Sequence, residues 1–296
     1  MNPKIAAIIL TKNEERDLPA CLESLRGVVA EMYVVDSGSN DHTIEIAHSY
    51  GAQVLTHEFI NQASQLNWAL ANINTSAEWI LRIDADERLS SELRQSITHD
   101  LPRVGESVTG LLVPRRVCFL GRSLRWGDTY PVWLLRLWRR GCGRCEDTWM
   151  DEHIVLDHGE VRQLAGDLIH EIPKSLSEWT QKHNWYADRE CIDISKDAPS
   201  VSCLVGQAKL KRALKQHVYL RLPLFHRAFL YWFYRYVLRL GFLDGKQGFI
   251  YHFLQACWYR FLVDAKLFEA AHRMSAPSRD KASTGTLTHG HPPQVG

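Results

Sequence analysis

Three acidic residues stand within four positions in the stretch WILRIDADERLS, which runs from Trp79 to Ser90. Asp84, Asp86 and Glu87 follow an apolar run that is typical of a buried strand. Carboxylates this close together repel one another, because each disfavours the charged form of its neighbours. A strand that ends in such a cluster points to a ligand-binding site, and an exposed turn is the alternative.

The elements that position this cluster alternate between short apolar strands and amphipathic helices. The strands read IAAIIL, EMYVVD, AQVLT and EWILRID, and the helical spacing between them is clearest from Leu18 to Leu25. This alternation predicts an α/β fold with a mostly parallel sheet flanked by helices. Ligands bind such sheets beyond the carboxyl ends of the strands. We therefore expect the polar loops after the first, second and fourth strands to form one site.

Four stretches, TKNEERDLPACLESL, VVDSGSNDHTIEIA, QASQLNWAL and WILRIDADE, resemble in order and spacing the nucleotide-sugar half of family 2 glycosyltransferases. The resemblance covers residues 4–195 and, within the family, is to bacterial enzymes that extend lipopolysaccharide core or exopolysaccharide chains. It implies the GT-A fold, which is Rossmann-like. It also implies an inverting transfer of a sugar from a nucleotide-diphosphate donor, a UDP-hexose, to a saccharide acceptor.

The same resemblance implies a divalent cation that neutralises the donor diphosphate. By similarity to the family's DxD motif, Asp86 ligates Mg²⁺ or Mn²⁺, and Asp84 approaches the ribose or the water shell of the metal. Both cations prefer oxygen ligands. His170 precedes a Pro-led helix, where family members often have a histidine that completes the metal shell or contacts the diphosphate. A helix-capping or core histidine is the alternative for His170.

Nucleotide recognition is carried over to the loops after the first two strands. The matching positions are Thr11 and Glu14 for base and ribose, Asn13 for the shape of the loop, and Asp36 for a hydrogen bond from the base. Gln65 stands where many relatives have an arginine that serves the donor. This departure leaves the diphosphate to be stabilised by Lys12 or Arg82.

An inverting transfer needs a general base that deprotonates the acceptor hydroxyl. The stretch WMDEHIVL carries Asp151, Glu152 and His153 about where the family has its catalytic carboxylate. We favour Glu152 as the base and keep Asp151 as the alternative, because the register is ambiguous by one residue. His153 is a candidate for orienting the carboxylate.

The C-terminal part of the chain differs in composition from the rest. Residues 206–273 contain 12 Lys and Arg against 3 Asp and Glu, and the longest uncharged run among their aromatic residues is 13 long. That run is too short to cross a bilayer. We therefore divide the chain into a GT-A catalytic domain at 1–205, a basic aromatic helical region at 206–273 and a disordered tail at 274–296.

The basic aromatic region predicts helices that lie on an anionic membrane surface and bring the enzyme to a lipid-linked saccharide acceptor. A helical subdomain packed on the core is the alternative. Without a signal peptide, the expected location is the cytoplasm, peripheral on the cytoplasmic face of the inner membrane. No nucleic-acid-binding module is recognisable. Two other functions are weighed, a sugar nucleotidyltransferase and a non-catalytic, membrane-bound scaffold with a GT-A-like fold.

Overall fold

The first half of the chain is an α/β unit in which strands and helices alternate. The computed structural model describes residues 4–146, 152–172, 175–195 and 206–275. Its first elements are β1 (Ile5–Thr11), α1 (Leu18–Leu25), β2 (Glu31–Asp36), α2 (Thr43–Ser49), β3 (Gln53–Thr56), α3 (Gln62–Asn72) and β4 (Trp79–Asp84). β1 pairs in parallel with β2 and β4, and β2 pairs in parallel with β3. The predicted fold class and the four predicted strands are confirmed.

The second half widens the sheet and adds antiparallel strands. Its elements are β5 (Glu87–Leu89), α4 (Ser91–His99), β6 (Val108–Phe119), β7 (Arg122–Ser123), β8 (Val132–Arg139), β9 (Gly143–Cys145), β10 (Ile154–Leu156), β11 (Glu160–Gln163) and β12 (Leu168–Ile172). The main sheet has the order β3-β2-β1-β4-β8-β6-β12-β5. β8 lies antiparallel between β4 and β6, which run in the same direction.

The apolar run of β1 is buried on both faces of the sheet, as its continuous hydrophobicity predicts. Ile5 and Ile9 pack in one cluster with α1, while Ile8 packs in a second cluster on the other face with α3. Burial on both faces fixes the position of the strand. The carboxyl ends of β1, β2 and β4 therefore lie at one edge of the sheet.

The helices that follow β12 pack on the α/β unit. They are α5 (Leu176–Ser195) and the C-terminal helices α6 (Gly206–His217), α7 (His226–Phe233), α8 (Gly245–His252) and α9 (Tyr259–Ser275), with π-helical turns at Tyr234–Leu238 and Phe253–Trp258. Tyr259 and Val263 of α9 share a buried cluster with Ala187 of α5. The buried Asp244 carboxylate accepts hydrogen bonds from the backbone N–H of Trp126, which precedes β8. The predicted disordered tail lies almost wholly outside the described residues.

Some of the basic residues in this region form internal contacts, and the binding of the region to an anionic surface stays a prediction. Arg227 and Asp264 form a buried pair, Arg260 pairs with Glu190, and the buried Arg235 donates to the backbone oxygen of Gly127. Several of the positive charges that were expected to face an anionic surface therefore hold the helices together instead. In the described parts of the chain, no helix combines the length and the hydropathy that crossing a bilayer requires.

We predict that Asp264→Ala lowers the free energy of unfolding by about 3–5 kcal/mol, because it leaves the buried Arg227 guanidinium without its partner. Asp264 also accepts a hydrogen bond of 2.7 Å from the backbone N–H of Phe225. Denaturant unfolding measures the change. The matched control is Glu269→Ala, which removes an exposed pair with Arg273 and is expected to cost less than about 1 kcal/mol. Equal stabilities of the two variants would contradict the prediction.

Candidate active site

A cavity of about 540 Å³ lies at the carboxyl edge of the sheet, beneath α5 and the C-terminal helices. Strands β4, β6, β8 and β12 provide its floor. The titratable residues that line it are Glu14, Arg82, Asp84, Asp86, Arg115, Arg136, Glu152, His153, His170, Glu171, Lys182, His183, Tyr186 and Tyr251. The cavity brings together Asp84, Asp86, Glu152 and His170, which sequence reasoning selected from three separate stretches.

Arg136 neutralises the acidic cluster at the end of β4. Its Nη2 lies 2.9 Å from Asp84 Oδ2 and 2.9 Å from Glu87 Oε1. The fully buried Glu87 also accepts the backbone N–H of Asp84 at 3.1 Å, so it supports the strand end and does not face a ligand. Burial raises the pKa of Asp84, but Arg136 and then Arg82 outweigh it and hold that pKa well below its usual range. Asp84 is therefore charged at neutral pH.

Arg82 joins this cluster to the predicted base. Its Nη2 donates to Glu152 Oε1 at 3.1 Å and to Gln62 Oε1 at 3.2 Å, and its Nε lies 3.5 Å from Asp84 Oδ1. Burial raises the pKa of Glu152, although Arg82 opposes the shift. Glu152 is thus a nearly buried carboxylate with one oxygen held by a guanidinium and a raised affinity for a proton. The alternative base, Asp151, lies outside the described residues.

His153, a sequence candidate for orienting Glu152, contacts a different carboxylate. Its Nδ1 lies 2.9 Å from Glu146 Oε1, and its backbone N–H donates to the same oxygen at 3.0 Å. Arg212 of α6 donates to both oxygens of Glu146. His153 therefore belongs to a cluster that connects α6 to the segment beside the base.

Asp86 and His170 lie next to each other in the wall of the cavity. His170 Nδ1 lies 3.4 Å from Asp86 Oδ1, and this buried nitrogen has no hydrogen-bond partner. A carboxylate oxygen and an imidazole nitrogen without a partner are suitable ligands for Mn²⁺ or Mg²⁺. The described residues contain no group of three or more His, Cys, Asp or Glu side chains that could hold a metal. A cation at this pair would therefore take its other ligands from solvent or from a bound phosphate.

The Asp36 carboxylate, which is predicted to contact a base, also accepts hydrogen bonds within the chain. The side chain is fully buried, and Thr11 Oγ1 donates to Oδ1 at 3.0 Å, while the N–H groups of Gly38 and Ser39 donate to Oδ2 at 2.8 and 2.7 Å. Both oxygens are used within the chain, so Asp36 and Thr11 shape the loop after β2. The contacts of Asp36 and Thr11 with a nucleotide stay predictions.

Gln65 likewise bonds within the chain, and its contact with the donor stays a prediction. It is buried, and its Nε2 donates to Val35 O at 3.0 Å and to Ser37 Oγ at 2.7 Å. Lys12 and Arg82 were the two cations expected to stabilise the diphosphate. Lys12 donates to the backbone oxygens of Ser37 and Gly38, whereas Arg82 lines the cavity.

The two remaining nucleotide-site predictions lie in the loop after β1. Asn13 adopts a positive φ of 55°, and its Oδ1 accepts the N–H of Asn40 at 2.9 Å, which agrees with the predicted role in loop shape. Glu14 lines the cavity, and its contact with a nucleotide stays a prediction.

Sequence reasoning missed the wall that α5 and the C-terminal helices contribute. Trp179, Lys182, His183 and Tyr186 line the cavity from one side of α5. Their spacing of three, one and three residues places them on one helix face, and this pattern in WTQKHNWY was the available signal. His183 Nε2 lies 3.1 Å from Gln255 Oε1, which connects this wall to the C-terminal region.

Comparisons with known proteins relate the chain to glycosyltransferases. The family described as Glycosyl transferase family 2 matches residues 6–126. The lipopolysaccharide core biosynthesis glycosyltransferase LpsC of Rhizobium meliloti (strain 1021) is 32% identical over 195 residues, which are 63% of this chain and 71% of LpsC. An uncharacterized glycosyltransferase of Rickettsia felis is 27% identical over 280 residues, which are 90% of each chain.

Among solved structures, glucosyl-3-phosphoglycerate synthase from Mycobacterium tuberculosis, in complex with Mn²⁺, UDP and glucosyl-3-phosphoglycerate, aligns with a TM-score of 0.29 at 24% identity. The alignment covers 40% of this chain and 45% of that structure, so it spans less than half of either.

The mostly parallel α/β sheet with flanking helices is the fold class that the sequence predicted, and the class of protein is shown by the relatives. The chain belongs to glycosyltransferase family 2, since LpsC is 32% identical over 71% of its length. It is similar to enzymes of lipopolysaccharide biosynthesis. Membership of this family favours glycosyl transfer over the two alternative functions, a sugar nucleotidyltransferase and a non-catalytic scaffold.

Proposed function

We propose that this enzyme transfers a hexose, with inversion, from a UDP-hexose or a similar nucleotide-diphosphate sugar. The acceptor is a lipid-linked saccharide of lipopolysaccharide or exopolysaccharide synthesis. The observation that carries the proposal is that Glu152, Asp84, Asp86 and His170 line one cavity, with Arg82 between the base and the acidic cluster. Asp86 and His170 would hold Mg²⁺ or Mn²⁺. That cation supplies positive charge that stabilises the departing diphosphate.

Each side chain has a distinct task in this transfer. The acceptor oxygen bonds to the anomeric carbon as the bond from that carbon to the diphosphate oxygen breaks, and the hydroxyl proton passes to Glu152. Arg82 fixes one oxygen of Glu152, so the other is available to the acceptor. Arg136 keeps Asp84 charged and in place beside the donor. The walls from α5 exclude water and offer aromatic faces to a sugar ring.

We predict that Glu152→Gln abolishes transfer but leaves donor binding unchanged, because the substitution removes proton acceptance without removing volume. The measurement is thermal protection and product formation with a panel of sugar nucleotides in the presence of Mn²⁺. In the parent protein, the raised pKa of Glu152 places the acid limb of the rate above the ordinary pKa of a glutamate. The rate is full above that limb, where Glu152 is deprotonated, and falls as pH decreases through it.

Gln62→Ala is the control, since it removes another partner of Arg82 but no proton acceptor. It is expected to keep measurable transfer and an acid limb. Full transfer by Glu152→Gln would contradict the role of base and would favour Asp151.

The proposed location, on the cytoplasmic face of the inner membrane, is supported by an exposed apolar surface. We define the apolar face as Phe229, Leu230, Phe233, Leu238, Phe242, Leu243, Phe249 and Phe253, all of them more than 40% exposed. Large apolar surfaces of this kind mark sites of interaction with membranes or proteins. Tyr251, between Phe249 and Phe253, lines the cavity. A bilayer on the apolar face would therefore present a lipid-linked acceptor close to the site.

We predict that the protein co-sediments with liposomes mainly through apolar insertion, so that high salt releases little of it. The variant Phe229→Ser with Phe233→Ser and Leu238→Ser should lose this binding. Ile60→Ser is the matched control, because Ile60 is 54% exposed but lies outside the apolar face. Recovery of the parent protein in the supernatant with and without liposomes would contradict the proposed location and leave a soluble acceptor.

A further inference from the structure

One arginine of the cavity has no part in the transfer described above. Arg115 lies on β6 and lines the cavity, and its Nε is buried without a hydrogen-bond partner. In the parts of the chain that the structure describes, no acidic side chain forms an ion pair with it. Arg115 as a whole is half-buried. A guanidinium that lines a cavity and has no acidic partner in the protein is well placed to bind an anion.

The other two arginines of the cavity are paired within the protein. Arg82 pairs with Glu152, and Arg136 pairs with Asp84. Burial lowers the pKa of Lys182, but Tyr186 and nearby acids raise it further, so this ammonium lies among groups that favour its charge. Among the cavity arginines, Arg115 is therefore the one for which the described residues provide no acidic partner, and it is available to bind an anion.

A second cation lies close to Arg115. Helix α6 packs along β8, where Gln207 Oε1 accepts the backbone N–H of Trp133 at 3.3 Å. Lys211 follows Gln207 by one helical turn, so it lies on the same side of α6. Lys211 also forms no ion pair with any described residue.

The order of the strands separates these two cations from the donor loops. The loops that are expected to bind the nucleotide follow β1 and β2, on one side of β4. Arg115 lies on β6, on the other side of β4 and beyond β8. Asp84, at the end of β4, lies between the two groups. A ligand at Arg115 would thus approach the base from the side opposite the nucleotide.

We propose that Arg115, with Lys211, binds an anionic substituent of the acceptor, namely a phosphate monoester or a carboxylate carried by the accepting saccharide. The guanidinium fork matches the paired oxygens of either group. The proposal rests on the proposed function, because it specifies the chemistry of the molecule that Glu152 deprotonates. It makes the enzyme selective for acidic over neutral saccharides.

The test titrates glucose 6-phosphate and glucose, as probes, into the full-length protein held with saturating UDP and Mg²⁺, which fill the donor side. The parent protein should bind glucose 6-phosphate about tenfold tighter than glucose, as expected for a charge-assisted hydrogen bond. Arg115→Gln should remove this preference without changing the affinity for UDP. Arg115→Lys should restore part of the preference, because it returns the charge without the fork.

Arg116→Gln is the matched control. Arg116 is adjacent on β6, so its side chain points to the other face of the sheet, where it pairs with Asp167 at 3.3 Å. It should behave as the parent protein does. Equal binding of the two probes by the parent protein, or an unchanged preference in Arg115→Gln, would overturn the proposal.

Two further outcomes separate this proposal from the proposed function. Loss of UDP affinity in Arg115→Gln would assign the arginine to the donor and would also overturn the proposal. Failure of the parent protein to bind UDP with Mg²⁺ would count against the proposed function alone. In that case the preference for glucose 6-phosphate over glucose is measured in a separate titration without UDP, so it still tests the role of Arg115.

Discussion

The active site depends on two buried guanidinium groups placed between its carboxylates. Arg136 joins Asp84 to Glu87, and Arg82 joins Asp84 to Glu152. Charged groups in a protein interior are strongly unfavourable unless they are paired, so the burial of these arginines and acids depends on their contacts with one another. Together they allow a dense acidic cluster to exist at a strand end. The remaining oxygens of this cluster are thereby kept for a ligand.

Much of the fold could be predicted because the local patterns are unambiguous. The run Ile5–Thr11 is apolar throughout, and the structure buries it on both faces, as a central parallel strand requires. The same patterns could not locate Arg136, because its contact with Asp84 joins residues 52 positions apart through the pairing of β4 with β8. Nothing in the local sequence around Asp84 specifies that partner.

The site residues illustrate the same limit. Asp86 and His170 were selected by motif, and the structure brings them within 3.4 Å of each other. Asp36 and Gln65 were also selected by motif, but their polar atoms bond to the chain itself, because a turn needs acceptors and donors as much as a nucleotide does. Residue type and spacing alone cannot distinguish these two uses of a polar side chain.

The C-terminal region uses part of its positive charge in internal contacts. Its excess of basic residues suggested electrostatic attraction to an anionic surface, yet Arg227, Arg235 and Arg260 are spent on internal contacts. The exposed surface of the region contains the apolar face together with basic side chains such as Arg221, Arg239 and Lys246. The same helices contribute Tyr251 and Gln255 to the cavity, so the region that is proposed to meet the membrane also builds the acceptor side of the site.

Manganese binding, measured by electron paramagnetic resonance in the presence and absence of UDP, tests the central claim most directly. The account predicts that Mn²⁺ binds tightly only when UDP is present, because the described protein ligands are too few to hold the ion alone. It also predicts that Asp86→Asn weakens this binding by about tenfold or more, through loss of a charged ligand. Equal Mn²⁺ affinity in the parent protein and Asp86→Asn, or UDP binding that is unaffected by EDTA, would contradict the account.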